Sequence, residues 1–207
     1  SHRSAGKKIT VGEWELEVEE ATSKSFLGMD LAFFSATTEV SKTLVPAAVK
    51  SGAIAIDDSS AWRMEPDVPL VVPEVNGDDL QGHKGIISIP NCPTTPLCLT
   101  LWPVHKVNPI NRIIVDTYQS VSGTGAAAME ELTEQTRQAL EGNPTRPHVY
   151  PHQIAFNLLP QVDVFLGSGY TKEEWKVMNE TRKIMHAPDL AISATCVRVP
   201  VYIGHSE

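Results

Sequence analysis

The chain has 207 residues, 42% of them hydrophobic, and a formal charge of −8, enough for a buried core in one large domain or two small ones. The acidic balance, with no Lys/Arg-rich run, excludes a nucleic-acid or anionic-membrane surface. No apolar run approaches the ~20 residues of a membrane span, and residues 1–8 lack the apolar centre of a signal peptide. Cys92, Cys98 and Cys196 are odd in number and show no zinc-ligand spacing, which suits a reducing compartment, cytoplasm or plastid stroma.

At the start, Ser1, Arg3 and Ser4 set an arginine between hydroxyls, a group that can hold a phosphate; a solvated terminus is the plainer alternative. Residues 9–18 alternate as a hairpin turning near Gly12. Residues 30–35 read as a buried strand, 39–50 as a helix with Val40, Leu44, Ala47 and Ala48 inward, and 53–57 as another strand. This βαβ unit, with continuous apolar strands, predicts a parallel sheet covered on both faces, as in doubly wound nucleotide-binding folds. The polar loop 58–64 then lies at the carboxyl end of a strand, where such sheets bind ligands, and carries Arg63. Residues 68–75, with Pro69 and Pro73, read as an extended edge without chemistry.

Next comes Ser88-Ile89-Pro90-Asn91-Cys92-Pro93-Thr94-Thr95, where an extended segment hands over to the helical pattern Leu97, Leu99, Leu101, Trp102, His105. A cysteine at a helix N-terminus meets the partial positive charge of open N–H groups, which favours the nucleophilic thiolate. A cysteine in apolar surroundings is more often packing, so Cys92 must be weighed with the rest of the chain. Residues 111–117 form a strand. Residues 125–140 form a helix with Ala128, Met129, Leu132 and Thr136 on one face and a solvated face of Glu130, Glu131, Glu134, Gln135, Arg137 and Gln138. Residues 141–159, with Pro144, Pro147 and Pro151, are too irregular for a helix and long for a loop, the mark of a functional or interfacial segment. His148 and His152 have no third ligand at a recognisable spacing, so no metal is expected. Thr171 and Glu174 form a capping box opening a helix on which Glu173 and Lys176 are neighbours. Residues 191–201 are a strand with Ala194, Cys196 and Arg198 on one face; an arginine in so apolar a strand is costly unless it meets an anion.

Asn91-Cys92, the Thr117-Tyr118-Gln119-Ser120-Val121-Ser122-Gly123-Thr124-Gly125 run and the block from Cys196 through Arg198 to His205 resemble, in order and interval, the motifs of the aspartate-β-semialdehyde dehydrogenases. The resemblance runs the whole length and is closest to plant and cyanobacterial members through residues 125–132 and 169–185. It implies a partial doubly wound, α/β NADP-binding domain over residues 1–91 and an α+β catalytic and dimerisation domain over residues 92–207, with more chain expected at both ends. It also implies a homodimer or homotetramer, with 141–159 at the interface.

By the same resemblance Cys92 is the nucleophile, His205 the acid/base and Gln119 the residue that orients substrate. Arg198 binds the substrate carboxylate, Glu173 lies near its amino group, and Asn91, Arg63 and Lys176 hold phosphate. Ser1, Arg3 and Ser4 meet the adenosine 2′-phosphate of NADP, and the turn at Ser35 and Ala36 approaches the cofactor. The implied reaction is reductive dephosphorylation of L-4-aspartyl phosphate to L-aspartate 4-semialdehyde through a cysteine thioester, a step toward lysine, threonine and methionine. Two features depart from the family pattern. Thr37-Thr38 stand where glycines are usual, and Pro93 replaces a serine or threonine after the cysteine. They leave two alternatives in play, a catalytically impaired homologue or fragment serving as a structural or binding module, and an enzyme like N-acetyl-γ-glutamyl-phosphate reductase.

Overall fold

The computed structural model describes residues 4–207, which divide into two compact units, residues 4–71 with Gly77–Ile89 and Val72–Asn76 with Pro90–Glu207. In the first, β1 (Lys8–Val11) and β2 (Trp14–Glu17) pair antiparallel around Gly12 and Glu13. Next come β3 (Leu31–Phe34), α1 (Thr38–Lys50) and β4 (Ile54–Asp57), with β5 (Ile86–Ser88) on the far side of β4, all three strands parallel. Ala32, Phe34, Val45, Ala48, Ala53 and Ala55 form the core between helix and sheet; the alanines let α1 lie close on the strands.

The inward face of α1 is Ser41, Val45 and Ala48, rotated from the expected stripe, and Val40 is 40% exposed. The cause is polar. Ser41 donates to the buried Asp57 carboxylate at 2.6 Å and Ser59 donates to it at 2.7 Å; a carboxylate removed from water has to be hydrogen-bonded, and that requirement turns the helix. Residues 69–71 run beside β5, with Ser88 donating to Pro69 and Val71 to Ser88. Pro73–Asn76 then leaves the extended path as a short helix, α2, opened by proline at its first position.

The second unit adds α3 (Thr94–Val107), β6 (Arg112–Gln119), α4 (Ala126–Leu140), α5 (Lys172–Ile184) and β7 (Ala191–Arg198) to α2. β6 and β7 are parallel, in register from Arg112 opposite Ala191 to Gln119 opposite Arg198. Alternation sends Ile113, Val115, Ile192, Ala194 and Cys196 to one face, where Leu97 of α3 and Val177 and Met178 of α5 complete the core. β7 stops at Arg198, short of the expected 201: Val199 still donates to Gln119, but Pro200 has no N–H to continue the ladder. On α3, Leu99 faces outward at 38% exposure, and the inward position is Cys98, beside Thr181.

Glu131 and Gln135 of α4, expected in solvent, are each only 1% exposed. Glu131 accepts the backbone N–H of His148 at 3.0 Å and of Val149 at 2.5 Å, and lies 3.0 Å from His148 Nδ1. Gln135 donates to Glu131 and accepts from Ile154 and Ala155 at 2.9 and 3.2 Å. The irregular segment thus takes its backbone hydrogen bonds from one helix face in place of secondary structure of its own. Glu131→Ala leaves those buried donors unanswered and should cost roughly 2–4 kcal/mol in urea denaturation, with new proteolytic cleavage confined to residues 141–153.

Candidate active site

Asn91 accepts from the N–H of Thr94 at 3.0 Å and of Thr95 at 3.3 Å, closing a turn that leaves Cys92 exposed at the start of α3. Pro93 is the N-cap residue of that helix and supplies no side-chain cap. Asn91 itself is held twice by α5, its N–H donating to Glu180 Oε2 at 2.7 Å and its Nδ2 to Glu173 Oε1 at 2.9 Å. Its own Oδ1 lies 3.8 Å from Cys92 Sγ. Glu173 and Glu180 are seven residues apart, two turns along one helix face, so a single rigid element grips the residue before the cysteine.

That element is anchored with equal care. Thr171 caps α5 by accepting from Glu174 N–H at 3.3 Å, and Glu174 Oε2 accepts from Thr171 N–H at 2.6 Å, both arms of the capping box. The other oxygen of Glu174 takes the N–H of Cys196 at 3.1 Å, tying α5 to β7. Glu173 then gathers the site. Oε1 accepts from Asn91 and from Gln119 Nε2 at 3.1 Å, and Oε2 pairs with Lys176 at 2.5 Å. Burial pushes its carboxyl pKa up, but Lys176 and the two amides outweigh burial and hold it below the ordinary range. It is an anion at neutral pH.

Gln119 and Arg198 end their strands side by side, both buried. Arg198 Nη1 donates to Ser120 C=O at 2.7 Å; its buried Nε has no partner, and among the described residues no carboxylate pairs with it. His205 is reached by a return of the chain. Val121 and Ser122 donate to Val201 and Tyr202, Gly204 turns at φ +100, and Tyr118 and Ser206 exchange both backbone hydrogen bonds. His205 Nδ1 then lies 3.1 Å from Ser120 N and 3.0 Å from Ser120 Oγ. A methyl on Gly123 would meet Arg198 Nη1 and His205 Cε1 and Nε2, each at 3.2 Å, so guanidinium and imidazole flank one point. Burial, then the Arg198 charge, holds the imidazole pKa below its ordinary value, with Glu173 pulling the other way.

Cys92, Asn91, Gln119, Glu173, Lys176, Arg198 and His205 all belong to the second unit; Asn91, Gln119 and Lys176 meet on Glu173, with Cys92 beside Asn91, and Arg198 and His205 meet on Ser120, the residue after Gln119. Arg63 belongs to the first, where it is 6% exposed and donates to Asp58 C=O at 2.7 Å. Ser4, Ser35 and Ala36 are also in the first unit, and Ser1 and Arg3 lie outside the described residues. Sequence reasoning missed Glu180 and Ser120. Glu180 could have been found from its two-turn spacing after Glu173; Ser120 acts mainly through backbone groups, which residue identity does not reveal.

Residues 1–83 match the semialdehyde dehydrogenase NAD binding domain and residues 101–207 the semialdehyde dehydrogenase dimerisation domain. The chain belongs to the semialdehyde dehydrogenase family. The aspartate-semialdehyde dehydrogenase of Bacillus subtilis is 51% identical over 214 residues, covering all of this chain and 62% of the relative, so the likeness is not confined to plant and cyanobacterial members. Aspartate semialdehyde dehydrogenase II of Vibrio cholerae superposes with a TM-score of 0.94 at 41% identity over 99% of this chain and 62% of that one, and its complex with ASA with 0.92 over the same shares. The Candida albicans enzyme with NADP gives 0.68 at 25% identity, over 99% of this chain and 60% of that one. The chain spans about three-fifths of the curated relatives it matches. Asn91 and Cys92 fall in the stretch between the two matched family domains.

Burial pushes the Cys98 and Cys196 thiols up to about 12, whereas Cys92 is exposed. Brief iodoacetamide treatment at pH 7.5 should therefore modify Cys92 and spare the other two, read by peptide mass spectrometry. Removing a neighbouring cation makes imidazolium easier to form and removing an anion makes it harder. Arg198→Met should raise the His205 pKa and Glu173→Gln should lower it, as followed by NMR titration of the ring.

Proposed function

We propose that the chain carries the thioester chemistry of an NADP-dependent aspartate-semialdehyde dehydrogenase, converting L-4-aspartyl phosphate to L-aspartate 4-semialdehyde and phosphate on the route to lysine, threonine and methionine. The observation that carries this reading is the buried Arg198 guanidinium, without a carboxylate partner among the described residues, beside His205 over Gly123. A buried cation of this kind suits an anionic ligand, and a planar guanidinium suits a carboxylate, here the substrate α-carboxylate.

Cys92, as thiolate, attacks the acyl carbon; the bond from that carbon to the phosphate oxygen breaks, phosphate leaves, and a thioester remains on sulfur. Asn91 and Lys176 receive the phosphate, with Arg63 assigned the same task by resemblance. Both N–H bonds of Gln119 are spent on Thr117 and Glu173, so it offers Oε1, an acceptor fitted to the substrate ammonium, and Glu173 adds negative charge nearby. His205 is assigned to the acyl oxygen, whose developing charge its ring N–H can meet. The first unit fits the nucleotide. Ser35 and Ala36 are exposed at the carboxyl end of β3, and Thr37 caps α1 at φ −68, so threonine is unstrained where glycine is usual. These residues, with Ser1, Arg3 and Ser4, would hold NADP, whose reduced form supplies the hydride that takes the thioester to the aldehyde. A reducing cytoplasm keeps Cys92 a thiol; the matched dimerisation domain supports an oligomer, read here as a homodimer or homotetramer with residues 141–159 assigned to its interface by resemblance.

The test is phosphate-dependent reduction of NADP by aspartate semialdehyde, with N-acetylglutamate semialdehyde as the competing substrate. Cys92→Ala should abolish turnover. Arg198→Met should lower kcat/KM for the aspartyl substrate about 10²–10³-fold, equivalent to about 3–4 kcal/mol, mostly in KM, with Arg198→Lys intermediate. Cofactor-independent turnover, or preference for the N-acetylglutamyl substrate, overturns the reading.

A further inference from the structure

Ser120 joins the two functional groups with three of its own. Its carbonyl takes Arg198 Nη1, while its N–H and hydroxyl both lie against His205 Nδ1. A backbone N–H can only donate, so Nδ1 must offer its lone pair. A neutral imidazole has one ring proton, which then resides on Nε2. The opposite tautomer, or an imidazolium, would aim the Nδ1 proton straight at the amide proton. The amide is not able to turn away, because the Gln119 C=O of the same peptide plane accepts from Val199 N–H at 2.9 Å. The Ser120 hydroxyl can join as a second donor to Nδ1 while accepting from Ser122 Oγ at 3.0 Å. Nε2 is on the other edge of the ring, against Gly123 and alongside the Arg198 guanidinium.

We propose that Ser120 is a positioning residue that locks neutral His205 as the Nε2-protonated tautomer, so that the imidazole meets substrate as a hydrogen-bond donor to the acyl oxygen and not as the base for the Cys92 thiol. The inference rests on the functional reading above. Nε2–H then presents a donor to an oxygen that gains negative charge as sulfur attacks, while the neighbouring guanidinium takes the α-carboxylate. The reduced basicity of a half-buried ring beside Arg198 is consistent with this arrangement.

The test uses the full chain with uniform nitrogen-15 label at pH 7.5, the His205 signals being assigned by their loss in His205→Gln. Expected are an unprotonated Nδ1, a protonated Nε2 and a scalar coupling across the hydrogen bond from the Ser120 amide nitrogen to Nδ1. A protonated Nδ1, an imidazolium, or no such coupling overturns the proposal. In parallel, His205→Gln should leave the rate of Cys92 alkylation at pH 7 within about twofold, and a tenfold slowing would reinstate the ring as thiol base. Turnover of His205→Gln separates the two readings. Lost turnover with a protonated Nδ1 removes the tautomer assignment alone, and full turnover with a protonated Nε2 removes the catalytic role of His205 alone.

Discussion

The carboxylate of Glu173 is the point from which the second unit is assembled. It is buried, charged, and shared by Asn91, Gln119 and Lys176. Its partners come from three separate places in the chain: the turn before α3, the end of β6, and the next turn of its own helix. A buried carboxylate with one donor removed costs several kcal/mol, so these places are energetically coupled. The ion pair with Lys176 alone is a weak argument for stability, since desolvation offsets much of its attraction. What the carboxylate supplies is a shared acceptor, to which the Asn91 turn, the end of β6 and α5 each bring a donor.

From that constraint the remaining geometry follows by short links. Glu174 fastens α5 to β7 through Cys196, and the parallel register of β6 and β7 sets Arg198 level with Gln119. Beyond the strand ends there is no regular structure to hold a side chain, so the chain folds back. The paired Tyr118 and Ser206 backbone bonds, with those of Val121 and Ser122, make the return rigid enough to seat an imidazole on Ser120. Gly123 suits the outcome, because a Cβ there would crowd both functional groups at 3.2 Å.

Residues with strong periodicity were legible from sequence, and residues whose place is decided by polar bookkeeping were not. The βαβ order, the β6 and β7 alternation and the α5 capping box follow from local pattern, and the structure contains each of them. Glu131 and Gln135 were misplaced because a solvated helix face and a face that answers backbone donors of an irregular segment have the same composition. Val40 was misplaced for a related reason, since Ser41 outranks it once Asp57 is buried. Arg198 was legible as an anomaly, a cation in an apolar strand. His205 was named by resemblance alone, because its surroundings come from Ser120, 85 positions away.

The charges of the second unit also bear on what it can bind. Glu173, Glu174 and Glu180 all point inward from one helix, and each is used by backbone or amide donors of the unit itself. Fixed anions of this kind repel an anionic ligand unless cations stand between, and here Lys176 lies on the Glu173 side and Arg198 on the Ser120 side. A ligand with a carboxylate at one end, a phosphate at the other and an ammonium between matches that alternation of sign. A ligand lacking the ammonium would leave the Gln119 side-chain carbonyl without a donor, a larger penalty than one missing methylene. On the proposed reading, charge placement selects among acyl phosphates before chain length does.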